Sequence, residues 1–351
     1  MPGELLWESD FSNIDVLRKE WNIEYAKPRK NNNEMQSYDD SVFKFDNSEL
    51  VISTINQNRN IVSGRINTKN KLEFQFGYIE ALIKFSAGPG LWPAFWLLGN
   101  REGWPNCGEI DIMEYVNWRP NCVYGTLHGP GYCAGNAYGS GAVNILNKSL
   151  ANEYHKYAIE WKPDTITWFL DDKPFFTANH NNLQHIKHTN NWVYNNKPFY
   201  IILNNAVGGA FGNANHWSEQ NIYDTLPRYN EMRIKYVKIY KTSDNIGHLN
   251  THIRIKQTLD IDDNDNDNTN SPICKGIYIP PHDDNSYEFS KSYFSLDDMF
   301  KKSDDNTPDS YSEDDDSSEY SNFTLKNLQD DDTISSIIST EENYHEKNND
   351  I

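Results

Sequence analysis

The sequence predicts an all-β domain, a sandwich or barrel, followed by a disordered C-terminal tail. Residues 5–241 contain many short segments in which apolar and polar residues alternate, separated by turn residues, and no sustained helical period. Such spacing is typical of β-sandwiches and barrels. The charge is also unevenly placed: residues 1–241 hold 25 acidic and 24 basic side chains, whereas residues 242–351 hold 26 and 8. We therefore place a near-neutral domain at residues 5–242 and an acidic tail at residues 243–351.

Five segments carry the strand prediction: residues 76–85, 157–161, 165–176 with a turn inside, 200–203 and 235–241. In the first, Ile79, Ala81 and Ile83 share one face, the pattern of a half-buried strand. Residues 200–203 are apolar on both faces, which predicts a central strand. Residues 235–241 alternate again, and we expect this strand to close the domain.

The tail has a different composition. The runs at residues 260–268 and 313–316 are strongly acidic and poor in apolar side chains. Such segments cannot bury enough surface to offset the entropy lost on ordering, which predicts disorder. The Asp/Asn run lacks the mid-loop glycine and terminal glutamate of an EF-hand, so we do not interpret it as a calcium loop.

Composition excludes several classes of function. No basic stripe points to nucleic acid, and no long apolar run predicts a membrane span. No signal peptide is visible at the N-terminus, so the location stays open between the cytoplasm, a particle and release by a non-classical route. The four cysteines, Cys107, Cys122, Cys133 and Cys274, fit no zinc pattern. Free thiols are favoured over a disulfide because no export signal is visible. We expect a monomer.

The most informative segment is the acidic run at residues 109–114. In a strand, Glu109 and Asp111 share one face, and strict alternation puts Glu114 on the other. One extra residue, a β-bulge near Ile112 and Met113, would return Glu114 to the face of the first two carboxylates. At about 3.3 Å per residue the two glutamate backbones would lie roughly 13 Å apart, a gap that converging side chains could largely close.

Two converging carboxyls suit glycoside hydrolysis. Retaining glycosidases place a nucleophile and an acid/base about 5–5.5 Å apart. The alternative is a solvated surface strand, the usual reading of an acidic run. The flanks argue against it, because Trp92, Trp96, Trp104 and Trp118 surround the run, and indoles cover the C–H faces of sugar rings.

Residues 6–241 resemble glycoside hydrolase family 16, in particular its laminarinase-like branch of endo-β-1,3-glucanases. Six blocks in order carry the resemblance: residues 63–68, 90–99, 103–114, 124–131, 206–209 and 236–240. The resemblance implies a β-jelly-roll sandwich of two curved antiparallel sheets with a concave substrate cleft. It also implies endo-hydrolysis of a β-glucan polysaccharide with retention of anomeric configuration. The resemblance links the six-residue form of the acidic motif, which contains the bulge, to the laminarinase-like branch.

The resemblance also suggests roles for single residues. Glu109 matches the nucleophile and Glu114 the acid/base, and Asp111 between them can hydrogen-bond Glu109. Since neighbouring carboxyls repel, ionisation of one holds the proton on the other more tightly.

The expected substrate-binding residues are three indoles and two basic side chains near the motif. Trp104 is the strongest candidate for stacking on a sugar, and for Trp96 core packing is the alternative. Trp118 and Trp217 are weaker candidates. The residues that match substrate-contacting positions of the family are Arg65, Trp92, Trp96, Trp104 and His128.

Two positions depart from the family pattern. Lys235 stands where many members have an aspartate that binds a structural calcium, and a cation there argues against the metal. We therefore expect no metal and no cofactor. Asn204 and Asn205 put polar side chains where the family has small or apolar ones.

Three alternatives to a β-1,3-glucanase remain open at this point. A transglycosylase would use the same catalytic residues and pass the glycosyl group to a sugar. A non-catalytic glucan-binding protein on the same scaffold is disfavoured because both glutamates are present. Galactan-cleaving members share the motif but differ in the flanking Trp and His blocks.

Overall fold

The structure is a computed structural model that describes residues 2–28, 32–143, 148–213 and 216–251. The strands, numbered along the chain, are β1 (Leu5–Glu8), β2 (Asn22–Ile23), β3 (Ser37–Tyr38), β4 (Phe43–Asp46), β5 (Glu49–Gln57), β6 (Asn60–Ser63), β7 (Arg65–Asn67), β8 (Leu72–Gln75), β9 (Gly77–Phe85), β10 (Leu91–Gly99), β11 (Glu109–Glu114), β12 (Cys122–His128), β13 (Tyr138–Val143), β14 (His155–Lys162), β15 (Thr165–Leu170), β16 (Lys173–Asn179), β17 (Phe199–Val207), β18 (Tyr229–Tyr240) and β19 (His248–Thr251). The helices are α1 (Ile14–Glu20), α2 (His180–Lys187), α3 (Gly209–Asn213) and α4 (Glu219–Thr225). The predicted all-β class is confirmed.

The described strands form two sheets. The first follows the order β16-β15-β14-β9-β18-β5-β6-β3, with β1 added beside β18 and β4 beside β5. The second follows the order β13-β12-β11-β10-β17-β7-β2, with β8 beside β17 and β19 beside β8. The pairing is antiparallel apart from the short parallel contact between β3 and β6. This arrangement is the jelly-roll sandwich that the resemblance implies.

The core lies between the two sheets and is rich in aromatic side chains. The prediction for β9 is confirmed, since Ile79, Ala81 and Ile83 are fully buried. Strand β17 is buried along its whole length and lies between β10 and β7, as expected for a central strand. Among the largest buried side chains are Trp161 and Trp168 of the first sheet. Burial of this apolar surface supplies the main driving force for folding.

The four helices were not predicted. They are five to eight residues long, too short to show a helical period in the sequence. Side-chain caps stabilise the first turns of α1 and α4: the side chain of Asn13 accepts hydrogen bonds from two backbone N–H groups of α1, and that of Ser218 accepts one from the backbone N–H of Asn221 in α4. Among the described residues, no helix has the length and apolar character needed to cross a bilayer.

One strand lies beyond residue 242, the domain boundary that the sequence predicts. Strand β18 does not close the domain, because the chain turns back at Thr242, whose backbone N–H donates to the carbonyl of Ile246. Strand β19 then pairs with β8, and Leu249 packs against the core. A four-residue strand is too short to show alternation, so the sequence did not reveal it. The tail predicted to be disordered is residues 243–351; residues 248–251 of it form β19, and residues 252–351 lie outside the described part of the chain.

The three described cysteines are free. Cys107 and Cys122 are buried, and Cys133 is half-buried. Burial raises the pKa of the Cys107 thiol to about 11, which keeps it protonated and unreactive at neutral pH. The fourth, Cys274, lies outside the described residues.

A pair of truncations tests the contribution of β19. We expect a chain of residues 1–245 to melt below a chain of residues 1–251, because it lacks the β8 pairing and the Leu249 contact. For a domain of this size each 1 kcal/mol lost lowers Tm by about 2–4 °C. Thermal unfolding followed by circular dichroism measures the difference, with the full-length chain as reference. Equal Tm values for the two truncations would show that β19 does not support the fold.

Candidate active site

Strand β11 contains the β-bulge that the sequence predicts. On the β12 side, the register shifts between Asp111 and Glu114. As a result Ile112 and Met113 together stand opposite a single residue, Gly125. Both bulge side chains are buried in the core. The extra residue therefore keeps Asp111 and Glu114 on the same face of the second sheet.

A tryptophan from the other sheet fixes this bulge. The indole N–H of Trp168 donates a 2.7 Å hydrogen bond to the backbone carbonyl of Asp111. Its ring passes directly beside Gly125, where an added Cβ would lie 2.4 Å from Trp168 Cδ1. Residue 125 must therefore be a glycine for the indole to reach the bulge.

Asp111 is buried and paired with a histidine. Its Oδ2 lies 3.1 Å from His128 Nε2, which is also 3.8 Å from Glu109 Oε1. His128 Nδ1 accepts a 3.1 Å hydrogen bond from the backbone N–H of Ala134. A neutral imidazole that accepts at Nδ1 carries its hydrogen on Nε2. The hydrogen of such an imidazole lies on Nε2, the ring nitrogen nearer the two carboxyls.

The surroundings hold protons on two of the three carboxyls. Burial, and then the charge of Glu109 and a hydrogen bond with it, raises the pKa of Asp111 well above its ordinary range. Burial and the nearby Asp111 raise the pKa of Glu114 likewise, against the opposing effects of His128 and Trp92. Glu114 is therefore a carboxylic acid at pH values where an exposed glutamate is ionised.

Each catalytic glutamate candidate accepts one indole N–H. Trp104 Nε1 donates to Glu109 Oε2 at 2.8 Å, and Trp92 Nε1 donates to Glu114 Oε1 at 3.0 Å. Trp104 is 46% exposed, so its ring is open to a ligand. It remains the strongest candidate for stacking on a sugar.

Trp96 and Arg65 form a second group on the same sheet. The indole of Trp96 donates a 2.8 Å hydrogen bond to Asn204 Oδ1, and the guanidinium carbon of Arg65 lies 4.9 Å from its ring centre. Arg65 Nε lies 3.0 Å from a carboxylate oxygen of Glu24. Trp96 is half-buried rather than part of the core. The structure thus brings all eight predicted site residues to the second sheet and the loop before β11.

The whole arrangement matches a known family. Residues 29–236, more than half of the chain, match the family described as Glycosyl hydrolases family 16. The chain belongs to glycosyl hydrolase family 16. It is 30% identical to a beta-glucanase of Rhodothermus marinus over 256 residues, which are 68% of this chain and 85% of that protein. The laminarinase catalytic domain of Thermotoga maritima MSB8 has a similar structure, with a TM-score of 0.61 and 31% identity over 69% of this chain and 99% of that one.

A third relative is much longer than the region it shares with this family 16 chain. Glucan endo-1,3-beta-glucosidase A1 of Niallia circulans is 30% identical over 262 residues. The match covers 68% of this chain but only 38% of the relative. The similarity is therefore to one part of that protein.

Two carboxyl groups and one imidazole of this family 16 site lie close enough together to bind one cation. Ligand atoms of Glu109, Asp111 and His128 all lie within 4.8 Å of one another. A metal bound at His128 Nε2 would move the imidazole hydrogen to Nδ1 and break the bond from Ala134. The donor set therefore suits proton transfer better than a metal.

Lys235 lies elsewhere, on the first sheet, with its ammonium 4.2 Å from the Tyr154 ring centre and 3.8 Å from Glu49.

Sequence reasoning missed several partners of these residues. Asn204 was noted only as an unusual polar residue, yet it fixes the Trp96 indole. Glu24 had no visible signal, because a single acidic residue in a loop is unremarkable before its partner is known.

Trp118, a weaker candidate, donates its indole N–H to the carbonyl of Phe211. Trp217, the other one, packs on a small apolar cluster around Ile222.

The raised pKa of Glu114 has a measurable effect on stability. The folded protein holds this proton more tightly than the unfolded chain, whose glutamates titrate near pH 4.3. The free energy of unfolding therefore falls as pH rises from that value through the raised pKa, and then levels off. At pH values above the raised pKa of Glu114, we expect Glu114→Gln to unfold at a higher Tm than wild type. A gain of about 1 kcal/mol corresponds to roughly 2–4 °C.

The difference in Tm should shrink at low pH, where wild-type Glu114 is protonated in both states. Thermal melts between pH 4 and pH 9 measure it. The matched control is Glu153→Gln, which changes an exposed glutamate before β14. A Glu114→Gln variant that is less stable than wild type at pH 8 would contradict the raised pKa of this half-buried carboxyl.

Proposed function

We propose that this protein is an endo-acting, retaining hydrolase of β-1,3-glucan that works by double displacement. The observation that carries the proposal is the placement of Glu109 and Glu114 on one face of β11. The first is hydrogen-bonded by Trp104, and the second is held as an acid by burial. The relatives named as β-glucanase, endo-1,3-β-glucosidase and laminarinase support this substrate class.

In the first step Glu109 acts as the nucleophile. One of its oxygens attacks the anomeric carbon, and the bond from that carbon to the glycosidic oxygen breaks. Glu114 delivers its proton to the departing oxygen, so that a neutral sugar hydroxyl leaves. The products of this step are a shortened glucan and a glycosyl ester of Glu109.

In the second step water replaces the departed sugar. Glu114, now ionised, takes a proton from the water, whose oxygen attacks the anomeric carbon. The ester bond breaks and Glu109 leaves as a carboxylate. The hydrogen bonds from Trp104 and Asp111 stabilise this charge. Two inversions at one carbon retain its configuration.

The polar and aromatic side chains around β11 suit a sugar polymer. The exposed Trp104 offers a flat apolar face for a pyranose ring, while Arg65 and His128 offer N–H donors to hydroxyls. We propose these residues, with Trp92 and Trp96, as the substrate-binding set. All eight side chains come from one chain, so a monomer suffices for the reaction.

Product analysis on laminarin tests the proposal. We expect wild type to release short β-1,3-linked oligosaccharides, with the β-anomer formed first in proton NMR spectra. Glu109→Gln and Glu114→Gln should each lower kcat by about 10²–10⁴-fold, the usual contribution of such groups. The control Glu153→Gln should keep the wild-type rate.

Different results would point elsewhere. An α-anomer formed first would contradict a retaining mechanism. Binding of laminarin without cleavage would show a glucan-binding protein. Products longer than the substrate would show that the glycosyl group passes to a sugar rather than to water.

A further inference from the structure

The side chain of Phe211, on helix α3, has no role in the mechanism proposed above. Its ring meets three others edge-on: Trp92 at 5.5 Å and 80°, Tyr124 at 5.2 Å and 76°, and Trp118 at 6.1 Å and 87°. Edge-to-face contacts at these distances are attractive and directional. Trp92 is the indole that donates to Glu114, and Tyr124 is the β12 residue directly opposite Glu114.

We propose that Phe211 is a positioning residue for the general acid/base, acting through Trp92. It holds the indole so that its N–H stays on Glu114 Oε1, which leaves Oε2 as the oxygen that carries and delivers the proton. This inference rests on the proposed function and adds a residue to it. Phe211 itself forms no bond in the reaction.

The backbone around Phe211 is fixed tightly enough for this role. Its carbonyl accepts a 3.0 Å hydrogen bond from the indole N–H of Trp118. The preceding residue, Ala210, donates its N–H to the carbonyl of Asn32 at 3.1 Å. The following residue, Gly212, lies so close to Trp92 that an added Cβ would be 3.2 Å from Trp92 Cβ. Helix α3 therefore presses on the Trp92 side chain through both its backbone and the Phe211 ring.

The physical consequence concerns the orientation of one carboxyl group. Glu114 can rotate about its last bond, and a rotated carboxyl presents its proton in the wrong direction. The N–H of Trp92 opposes this rotation because the carbonyl oxygen of a carboxylic acid accepts a hydrogen bond better than its hydroxyl oxygen. If Phe211 is removed, the indole gains freedom and the hydrogen bond is lost for part of the time. Small misplacements of a catalytic group can cost up to about 10²-fold in rate.

Leaving-group dependence separates this role from a merely structural one. A sugar alkoxide departs from laminarin only with a proton, whereas dinitrophenolate departs without one. We therefore compare kcat on laminarin with the pre-steady-state burst of dinitrophenolate from a dinitrophenyl glycoside of a β-1,3-linked disaccharide. The burst reports the first step alone, which for this substrate needs no acid.

The variants are Phe211→Ala, Trp92→Phe and their combination, all in the full-length chain. We expect each single change to lower kcat on laminarin about tenfold or more, and Phe211→Ala, which removes no substrate-binding residue, to leave the burst rate within about twofold of wild type. The double variant should be no slower than the slower single variant, because both changes remove the same hydrogen bond. The matched control is Phe169→Ala, a half-buried phenylalanine of the first sheet that contacts Tyr78, and it should keep both rates.

Several outcomes would overturn the inference alone. Equal losses on both substrates would show that Phe211 only supports the fold, and additive losses in the double variant would show that it does not act through Trp92. If Phe211→Ala lowers Tm strongly, Phe211→Leu restores apolar volume without the aromatic edge, and wild-type rates in that variant would also refute the role. A wild-type protein that cleaves neither substrate would instead refute the proposed function itself.

Discussion

The site depends on one extra residue in strand β11. Side chains alternate along a strand, so without the bulge at Ile112 and Met113 the last glutamate would point into the core. The register shift against β12 prevents this, and both bulge side chains pack among apolar neighbours. The bulge in turn needs Trp168, whose indole N–H binds the Asp111 carbonyl, and Gly125, which leaves room for that indole. Packing between the two sheets therefore sets the positions of Glu109 and Glu114 relative to each other.

Electrostatics then distinguish carboxyls that the sequence alone presents as equivalent. Glu114 is half-buried and Asp111 is buried, and the surroundings raise the pKa of both side chains well above the ordinary range. His128 contributes an N–H because the Ala134 backbone selects its tautomer. Two indoles complete the site, one on each glutamate. The arrangement resembles other pairs of titratable groups whose environments separate an acid from a nucleophile.

Much of the fold and of the site could be predicted from local pattern. Alternation identified β9 and β18, a run of apolar residues identified β17 as central, and the spacing of residues 109–114 required the bulge. Features without a local signal were missed. Helix α3 is five residues long, and β19 has four, so neither shows a period. Strand β19 therefore lies beyond residue 242, the boundary that the sequence predicts.

The sequence by itself determined the fold class, the bulged carboxylate motif and the identity of the eight candidate side chains, because alternation and spacing act over a few neighbouring residues. The tertiary structure decided which partner each side chain has. Trp96 meets Asn204, Trp118 meets Phe211, and Trp168 reaches Asp111, pairs that are 108, 93 and 57 residues apart in the chain. Such contacts arise only when the strands pair and the sheets pack. The pKa of Glu114 likewise depends on its burial and on side chains of other strands, His128 and Trp92, so no local pattern could reveal it.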